Sequence, residues 1–150
     1  MNGPNHVVVG LAAVLITVPA VLSSPESGML CLAAGVAGAL LPDLDSGESS
    51  IRRASGTNRS AGCLGRVISA IMPGHRGIIH SPWLAAAIAA GAWYSGAPWA
   101  WALAAGWVSH IIADGGMAIL GIKNGGILEY ALAYGALFVA IVIRIGGDWK

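Results

Sequence analysis

The chain has 150 residues, of which 56% are hydrophobic and 10% charged, and its mean hydropathy is +0.72. Soluble domains carry about 25% charged residues, so this composition excludes an ordinary water-soluble globule and indicates a protein of the lipid bilayer. The net charge of +1 points to no class of partner. Nucleic-acid binding is not expected, because no basic face with interleaved aromatic residues accompanies the arginines.

Five apolar runs predict an all-α fold, an integral membrane helix bundle with about four to five apolar helices. The runs are Val7–Leu22, Met29–Leu41, Pro82–Tyr94, Trp99 to about Ala113, and Ile127–Ile145. A full span needs about 17–25 residues, so the second and third runs are expected to fall short of one. No Lys or Arg precedes the first run, which favours an uncleaved helix over a signal peptide.

The segments between the runs predict turns, a loop and one further helix within a single domain, 1–150. Ser23–Gly28 is expected to be a polar turn, residues 46–63 a flexible polar loop, and Gly115–Gly126 a Gly-rich connection. Leu64–Met72 has one apolar face and predicts a short interfacial helix. Two cysteines, Cys31 and Cys63, form no C-x-x-C pair and are expected to be free thiols.

Two patterns concern packing and orientation. Small residues recur in the second run at helical spacing, which favours close helix packing: Ala34, Gly35, Gly38 and Ala39. Five of the eight basic residues lie between the second and third runs, namely Arg52, Arg53, Arg59, Arg66 and Arg76. The positive-inside tendency places this segment in the cytoplasm. Arg144 and Lys150 then lie on the opposite side, against that tendency.

Seven ionisable residues lie at the ends of apolar runs, where this topology places them all on the cytoplasmic side. They are His6, Asp43, Asp45, His75, His80, His110 and Asp114. Imidazole with carboxylate is the ligand mix of zinc, and also of manganese or iron. Seven donors are more than one tetrahedral ion can use, so ligands are available for a second ion. We therefore predict one or two divalent ions.

Each part of this set also has a simpler interpretation. Asp43 and Asp45 fit a solvated helix end, and His110 with Asp114 fits a hydrogen-bonded structural pair at i, i+4. His75 and His80 fit a contact with lipid headgroups. Functions without catalysis therefore stay open, namely a bundle that handles divalent ions or protons or one whose polar cluster only fixes helix packing.

The ordered motifs resemble a known family. His6-x-x-x-Gly10, Leu41-Pro42-Asp43-x-Asp45, His75-Arg76-Gly77-x-x-His80-Ser81 and Ser109-His110-x-x-x-Asp114 are similar to the motifs of the LexA-regulated, membrane-bound predicted metal-dependent hydrolases of bacteria. The resemblance runs from His6 to about Gly121. It implies a multi-pass protein of the bacterial inner membrane. Through a distant similarity of that family to zinc-dependent phospholipase C and P1 nuclease, it also implies phosphoester hydrolysis. One departure is Met117, where the family often has Thr.

The expected function is therefore a membrane-bound metal-dependent hydrolase, and the expected substrate is a phosphorylated lipid or a phosphorylated small molecule. The seven residues above are the expected ligands of zinc, with manganese as the alternative. Metal-activated water is the expected nucleophile, and Arg76 and Asp45 are the expected catalytic residues, Arg76 neutralising a phosphoryl oxygen. Ser81 is expected to cap a helix rather than to attack a substrate.

Overall fold

The computed structural model describes residues 1, 3–45, 80–123 and 125–146, with the backbone alone at Leu44 and Asp45. These residues form five α-helices and no β-strand, which confirms the all-α fold. The helices are α1 (Gly3–Thr17), α2 (Pro25–Leu40), α3 (Pro82–Ser95), α4 (Pro98–Leu120) and α5 (Ile127–Gly146). Short 3-10 segments, Pro19–Leu22 and Leu41–Asp45, follow α1 and α2.

Serine caps start two of these helices. The Oγ of Ser81 accepts a hydrogen bond from the Leu84 N–H at 3.1 Å, and Pro82 takes the first helical position, as predicted. The Oγ of Ser24 accepts from the Ser27 N–H at 3.2 Å in the same way. Because this second cap starts α2 at Pro25, the prediction of a turn through Gly28 is wrong.

Helix α4 is longer than its apolar run. It continues seven residues past Ala113, through Gly115 and Gly116, and ends at Gly121, whose φ of 64° is a left-handed cap. The predicted Gly-rich connection from Gly115 is therefore wrong over its first half. The physical reason is that each glycine costs a helix only about 1 kcal/mol, whereas a residue in the left-handed conformation ends it.

Three segments are long and apolar enough to cross a membrane. They are Pro25–Asp43 with 19 residues, α4 with 23 and α5 with 20. The second run therefore does not fall short, because its helix starts earlier and a 3-10 turn extends it. Helices α1 and α3 have only 15 and 14 residues, so the shortness predicted for the third run is confirmed.

The centre of the fold is the contact between α2 and α4, where glycines allow the backbones to meet. A Cβ added at Gly106 would overlap the carbonyl O of Gly35, and one at Gly38 would overlap the carbonyl O of Leu103. On α1, a Cβ at Gly10 would lie 2.6 Å from the Cβ of Ala39. The predicted close packing of small residues in α2 is thus confirmed.

Helix α5 lies along α1 and is held near both of its ends. Arg144 is buried and donates a hydrogen bond from Nη2 to the carbonyl O of Val18, at 2.9 Å, just beyond the end of α1. The same carbonyl also accepts from the Val21 N–H at 3.2 Å, so Arg144 adds a second hydrogen bond to it. Arg144 therefore has a structural partner inside the protein, a role that does not depend on the charge pattern of the loops.

Several predicted features lie outside the described residues. They are the loop 46–63, the interfacial helix Leu64–Met72, the five arginines and Cys63. Cys31 is described, and it is a buried free thiol.

Candidate metal centre

The structure brings five of the seven predicted donors together from separate parts of the chain. His6 comes from the first turn of α1, Asp43 from the 3-10 segment after α2, and His80 from the position just before the Ser81 cap of α3. His110 and Asp114 come from α4, one turn apart. Donors almost 110 residues apart in sequence meet because successive helices run in alternate directions.

His6 and the two carboxylates form one side of the cluster. The imidazole of His6 is fully buried, and its Nε2 lies 3.2 Å from Oδ1 of Asp114 and 4.0 Å from Oδ2 of Asp43. Both carboxylates are partly exposed, with 19% of the side chain accessible in each. The cluster is therefore closed on the helix side and open at the carboxylates.

The ring of His110 is fixed by the backbone of α2. Its Nδ1 lies 2.8 Å from the carbonyl O of Ala39. A carbonyl can only accept, so Nδ1 carries the hydrogen and donates, and in the neutral ring Nε2 keeps its lone pair. Buried ligands to metals show this arrangement, in which a backbone carbonyl sets the tautomer and the ring orientation.

The Nε2 of His110 faces the rest of the cluster. It lies 3.7 Å from Oδ1 of Asp43 and 3.9 Å from Oδ2 of Asp114. The Nε2 of His80 lies 3.2 Å away, and the ring of His6 stacks on that of His110 with centroids 3.8 Å apart. Three imidazoles and two carboxylates thus surround one small volume.

Two overlapping sets of donors could each hold an ion: His6, Asp43 and His110, and His80, His110 and Asp114. In each set, one ligand atom per residue lies within 4.8 Å of the others. Nitrogen and carboxylate oxygen suit zinc and several other divalent metals. Both sets use His110, and Nδ1 of that ring is occupied by Ala39. Its Nε2 therefore serves one ion at a time.

The remaining predicted site residues are not placed at the cluster. Only the backbone of Asp45 is described, two residues after Asp43, and His75 and Arg76 lie outside the described residues. Their predicted roles stay predictions. Met117 is buried three residues after Asp114 in α4, where the similar family often has Thr.

The structure adds contacts that the sequence pattern did not single out. The α-amino group of Met1 lies 2.7 Å from Oδ1 of Asp114, so that carboxylate already faces a positive group. Asn5, next to His6, donates from Nδ2 to Oε1 of Glu129 at 2.7 Å. The sequence does contain a pattern that indicates a role for Glu129. This residue is a carboxylate two residues into the last apolar run, where ionisable residues are costly.

Comparisons with known proteins give one result. No curated protein and no solved structure matches the chain. Residues 1–123, which include all five clustered donors, match the sequence model described as YdjM inner membrane protein. Together with the three apolar helices long enough to span, this match identifies a membrane protein. The chain belongs to the YdjM inner membrane protein family.

Proposed function

We propose that the protein is a membrane-bound metal-dependent hydrolase of phosphoester bonds, with its His and Asp cluster as the metal centre. The observation that supports this most is the spacing of the donor atoms. Four pairs of ligand atoms are separated by 3.2, 3.7, 3.9 and 4.0 Å. Zinc bonds of about 2.0–2.2 Å in a tetrahedral arrangement place neighbouring ligands about 3.4 Å apart, which is close to these separations.

The spacing around Asp43 fits a cation better than a hydrogen-bonded structural pair, whereas the 3.2 Å contacts of His6 with Asp114 and of His80 with His110 are within hydrogen-bond distance. The Asp43 oxygens lie 3.7 and 4.0 Å from the imidazole nitrogens of His110 and His6, which is beyond hydrogen-bond distance. Carboxylates that face the lone pair of His110 repel it, and repulsion is strong where water is scarce. A divalent cation between these atoms removes that repulsion, and the residues present therefore fit a metal.

The chemistry divides between the ion and the chain. A bound divalent ion lowers the pKa of a coordinated water to about 7 and polarises a phosphoryl oxygen. His110 would hold the ion together with His6 and Asp43 or together with His80 and Asp114, and the Ala39 carbonyl keeps His110 in the ligating tautomer. We assign Arg76 to neutralise charge on the phosphoryl group. We also assign Asp45 as a catalytic carboxylate, in addition to the ligands Asp43 and Asp114.

An apolar groove favours a substrate that carries an acyl chain. The groove encloses about 290 Å³ between α3 and α4. It is lined by Pro82, Ala85, Ala86, Ala89, Val108, Ile111 and Ile112. It begins two residues after His80, and Ile111 directly follows His110. We propose that a phosphorylated lipid places its chain in this groove and its phosphoester at the metal centre.

We also propose that the centre faces the cytoplasm. The arginines between α2 and α3 favour that side for the helix ends that carry the donors. The experiment for orientation is reaction of single added cysteines in whole cells with an impermeant thiol reagent. A cysteine at Glu26, at the opposite end of α2, should react from outside, whereas labelling of Lys123→Cys from outside would contradict the orientation.

The function is tested by metal analysis and by hydrolysis assays on the same preparations. Protein purified in detergent without chelator should contain stoichiometric zinc or manganese and hydrolyse a phosphoester. Asp43→Asn should lose both properties. Glu26→Gln, an exposed carboxylate at the other end of the same helix, is the matched control and should keep both. Wild-type protein purified without bound metal would contradict the metal centre. Metal-containing protein that hydrolyses neither lipid nor soluble phosphoesters would contradict the hydrolase function.

The alternative function is handling of divalent ions or protons without catalysis. One observation favours it: His110 is the thirteenth of the 23 residues of α4, so the cluster lies near the middle of a spanning helix, where ionisable residues often form relays. Uptake of zinc or protons into proteoliposomes by a protein that hydrolyses no phosphoester would support this reading over the hydrolase.

A further inference from the structure

Glu129 is a buried carboxylate that the proposed hydrolase does not use. It lies in the first turn of α5 and is fully buried. Its Oε1 accepts from the Asn5 side chain at 2.7 Å, and its Oε2 accepts from the Gly125 N–H at 2.6 Å. Burying a carboxylate is costly unless it is hydrogen-bonded. The two bonds therefore fix the geometry around Glu129 closely.

Asn5 and Gly125, which both bond to Glu129, belong to segments beside the metal centre. Asn5 precedes His6 in the first turn of α1. Gly125 lies between α4, which carries His110 and Asp114, and α5, and its φ of 76° favours glycine. Glu129 thus links the beginning of α1 to the chain that leaves α4.

The orientation of the His6 ring is restrained less by hydrogen bonds than the orientation of the His110 ring. A carbonyl fixes His110 through Nδ1, whereas Nδ1 of His6 has no hydrogen-bond partner in the described part of the chain. Besides stacking on His110 and the 3.2 Å contact of its Nε2 with Oδ1 of Asp114, the direction of the His6 ring depends on the rotation of the first turn of α1. Asn5 holds that turn from the neighbouring position.

We propose that Glu129 is a positioning residue for the candidate metal centre, acting through Asn5 on His6. Its effect on metal binding rests on the proposed function. Helix α5 begins after residue 123, where the family match ends, so this assignment adds a part of the chain to the centre. Residues that orient metal ligands typically change metal affinity about 10–100-fold when they are mutated.

A merely structural role of Glu129 would be to fasten α5 to α1, and the chain offers a matched control for it. Arg144 is buried on the same helix and bonds to Val18, at the opposite end of α1. Asn5 and Val18 are about 20 Å apart at 1.5 Å per helical residue. Loss of either contact should loosen α5, but of the two only the Glu129 contact involves the residue next to His6.

The experiment compares Glu129→Gln with Arg144→Gln in three measurements: melting temperature, zinc affinity by competition with a chelating dye, and the ¹⁵N shifts of the His6 ring in metal-free protein. The His6 signals are assigned by their loss in His6→Gln. Glu129→Gln should weaken zinc binding at least tenfold and move the His6 signals. Arg144→Gln should lower the melting temperature and leave both unchanged. Glu129→Gln keeps one oxygen that can accept from Asn5 and loses the acceptor of the Gly125 N–H, whereas Asn5→Ala removes the Asn5 bond itself; both should therefore move the His6 signals, Asn5→Ala the more.

Two results would overturn the proposal: unchanged His6 signals in Glu129→Gln and Asn5→Ala, or equal changes in Arg144→Gln. If wild-type protein binds no zinc, the metal function fails, while the His6 shifts still decide whether Glu129 positions that ring. If Glu129→Gln does not fold, Asn5→Ala against Arg144→Gln gives the same decision.

Discussion

The Nδ1 of His110 donates to the carbonyl O of Ala39 across the contact between α4 and α2, at 2.8 Å. This bond couples helix packing to ligand chemistry, because the same close approach of glycine-bearing backbones that brings α2 to α4 places the carbonyl beside the ring. The tautomer of His110 is therefore a property of the packed fold.

The first prediction concerns that tautomer. In metal-free protein, the His110 ring should carry its hydrogen on Nδ1, because the carbonyl cannot donate. Added zinc should move the Nε2 resonance and leave Nδ1 protonated. The measurement is ¹⁵N spectroscopy of histidine-labelled protein, with His110→Gln for assignment. A ring protonated only on Nε2 would contradict the geometry.

The second prediction concerns metal stoichiometry. His110 offers one nitrogen, Nε2, to both candidate donor sets, so the ion that it ligates should be lost in His110→Ala. His6→Ala and His80→Ala each remove one ligand and should weaken binding by a smaller factor. Zinc titration of the metal-free proteins measures the numbers of sites and the affinities. If His110→Ala binds as much zinc as wild-type protein, His110 is not a ligand of the centre. Any second ion must use ligands other than the Nε2 of His110.

The third prediction concerns the glycines between α2 and α4. Gly106→Ala should destabilise the protein by about 1–3 kcal/mol, since the added methyl overlaps the Gly35 carbonyl. Gly135→Ala on α5, with nothing within 4 Å of the new methyl, is the control and should not destabilise it. Thermal or denaturant unfolding in detergent measures the difference. Equal stability of the two variants would mean that the helices separate easily at this contact.

The fourth prediction concerns the apolar groove. Ala89→Trp should fill it and reduce hydrolysis of a phosphorylated lipid at least tenfold, while a soluble phosphoester is hydrolysed as before. Ala90→Trp places the same ring on an exposed position of α3 outside the groove lining and should change neither rate. If each variant changes the rates of hydrolysis of the lipid and of the soluble phosphoester by the same factor, the groove does not bind the acyl chain.

The sequence predicted much of the fold because its signals are local. Ser81 and Pro82 define a helix start by their own chemistry, and the small residues of α2 indicate a close contact wherever a partner helix lies. The predicted end of α4 was wrong because Gly115 and Gly116 suggest a break in the helix, whereas the apolar helix continues through both glycines. The sequence could not show that Gly121 would take the left-handed conformation.

The cluster was predictable as a set of residue types and not as a geometry. His6, Asp43, His80, His110 and Asp114 were identified by their places at the ends of apolar runs, and their convergence depends on how four segments pack. The bonds of His110 to Ala39 and of Glu129 to Asn5 join residues 71 and 124 positions apart. No local pattern encodes such pairs.

The length of α4 has a consequence for exchange of a bound ion. Its 23 residues span about 34 Å, slightly more than the hydrocarbon core of about 30 Å, and His110 lies near the middle of that length. An ion held there must leave through tightly packed helices or past the two partly exposed carboxylates. Because the helices close the first route and the carboxylates leave the second one open, an external chelator should remove the ion past Asp43 and Asp114, at a rate that rises with chelator concentration.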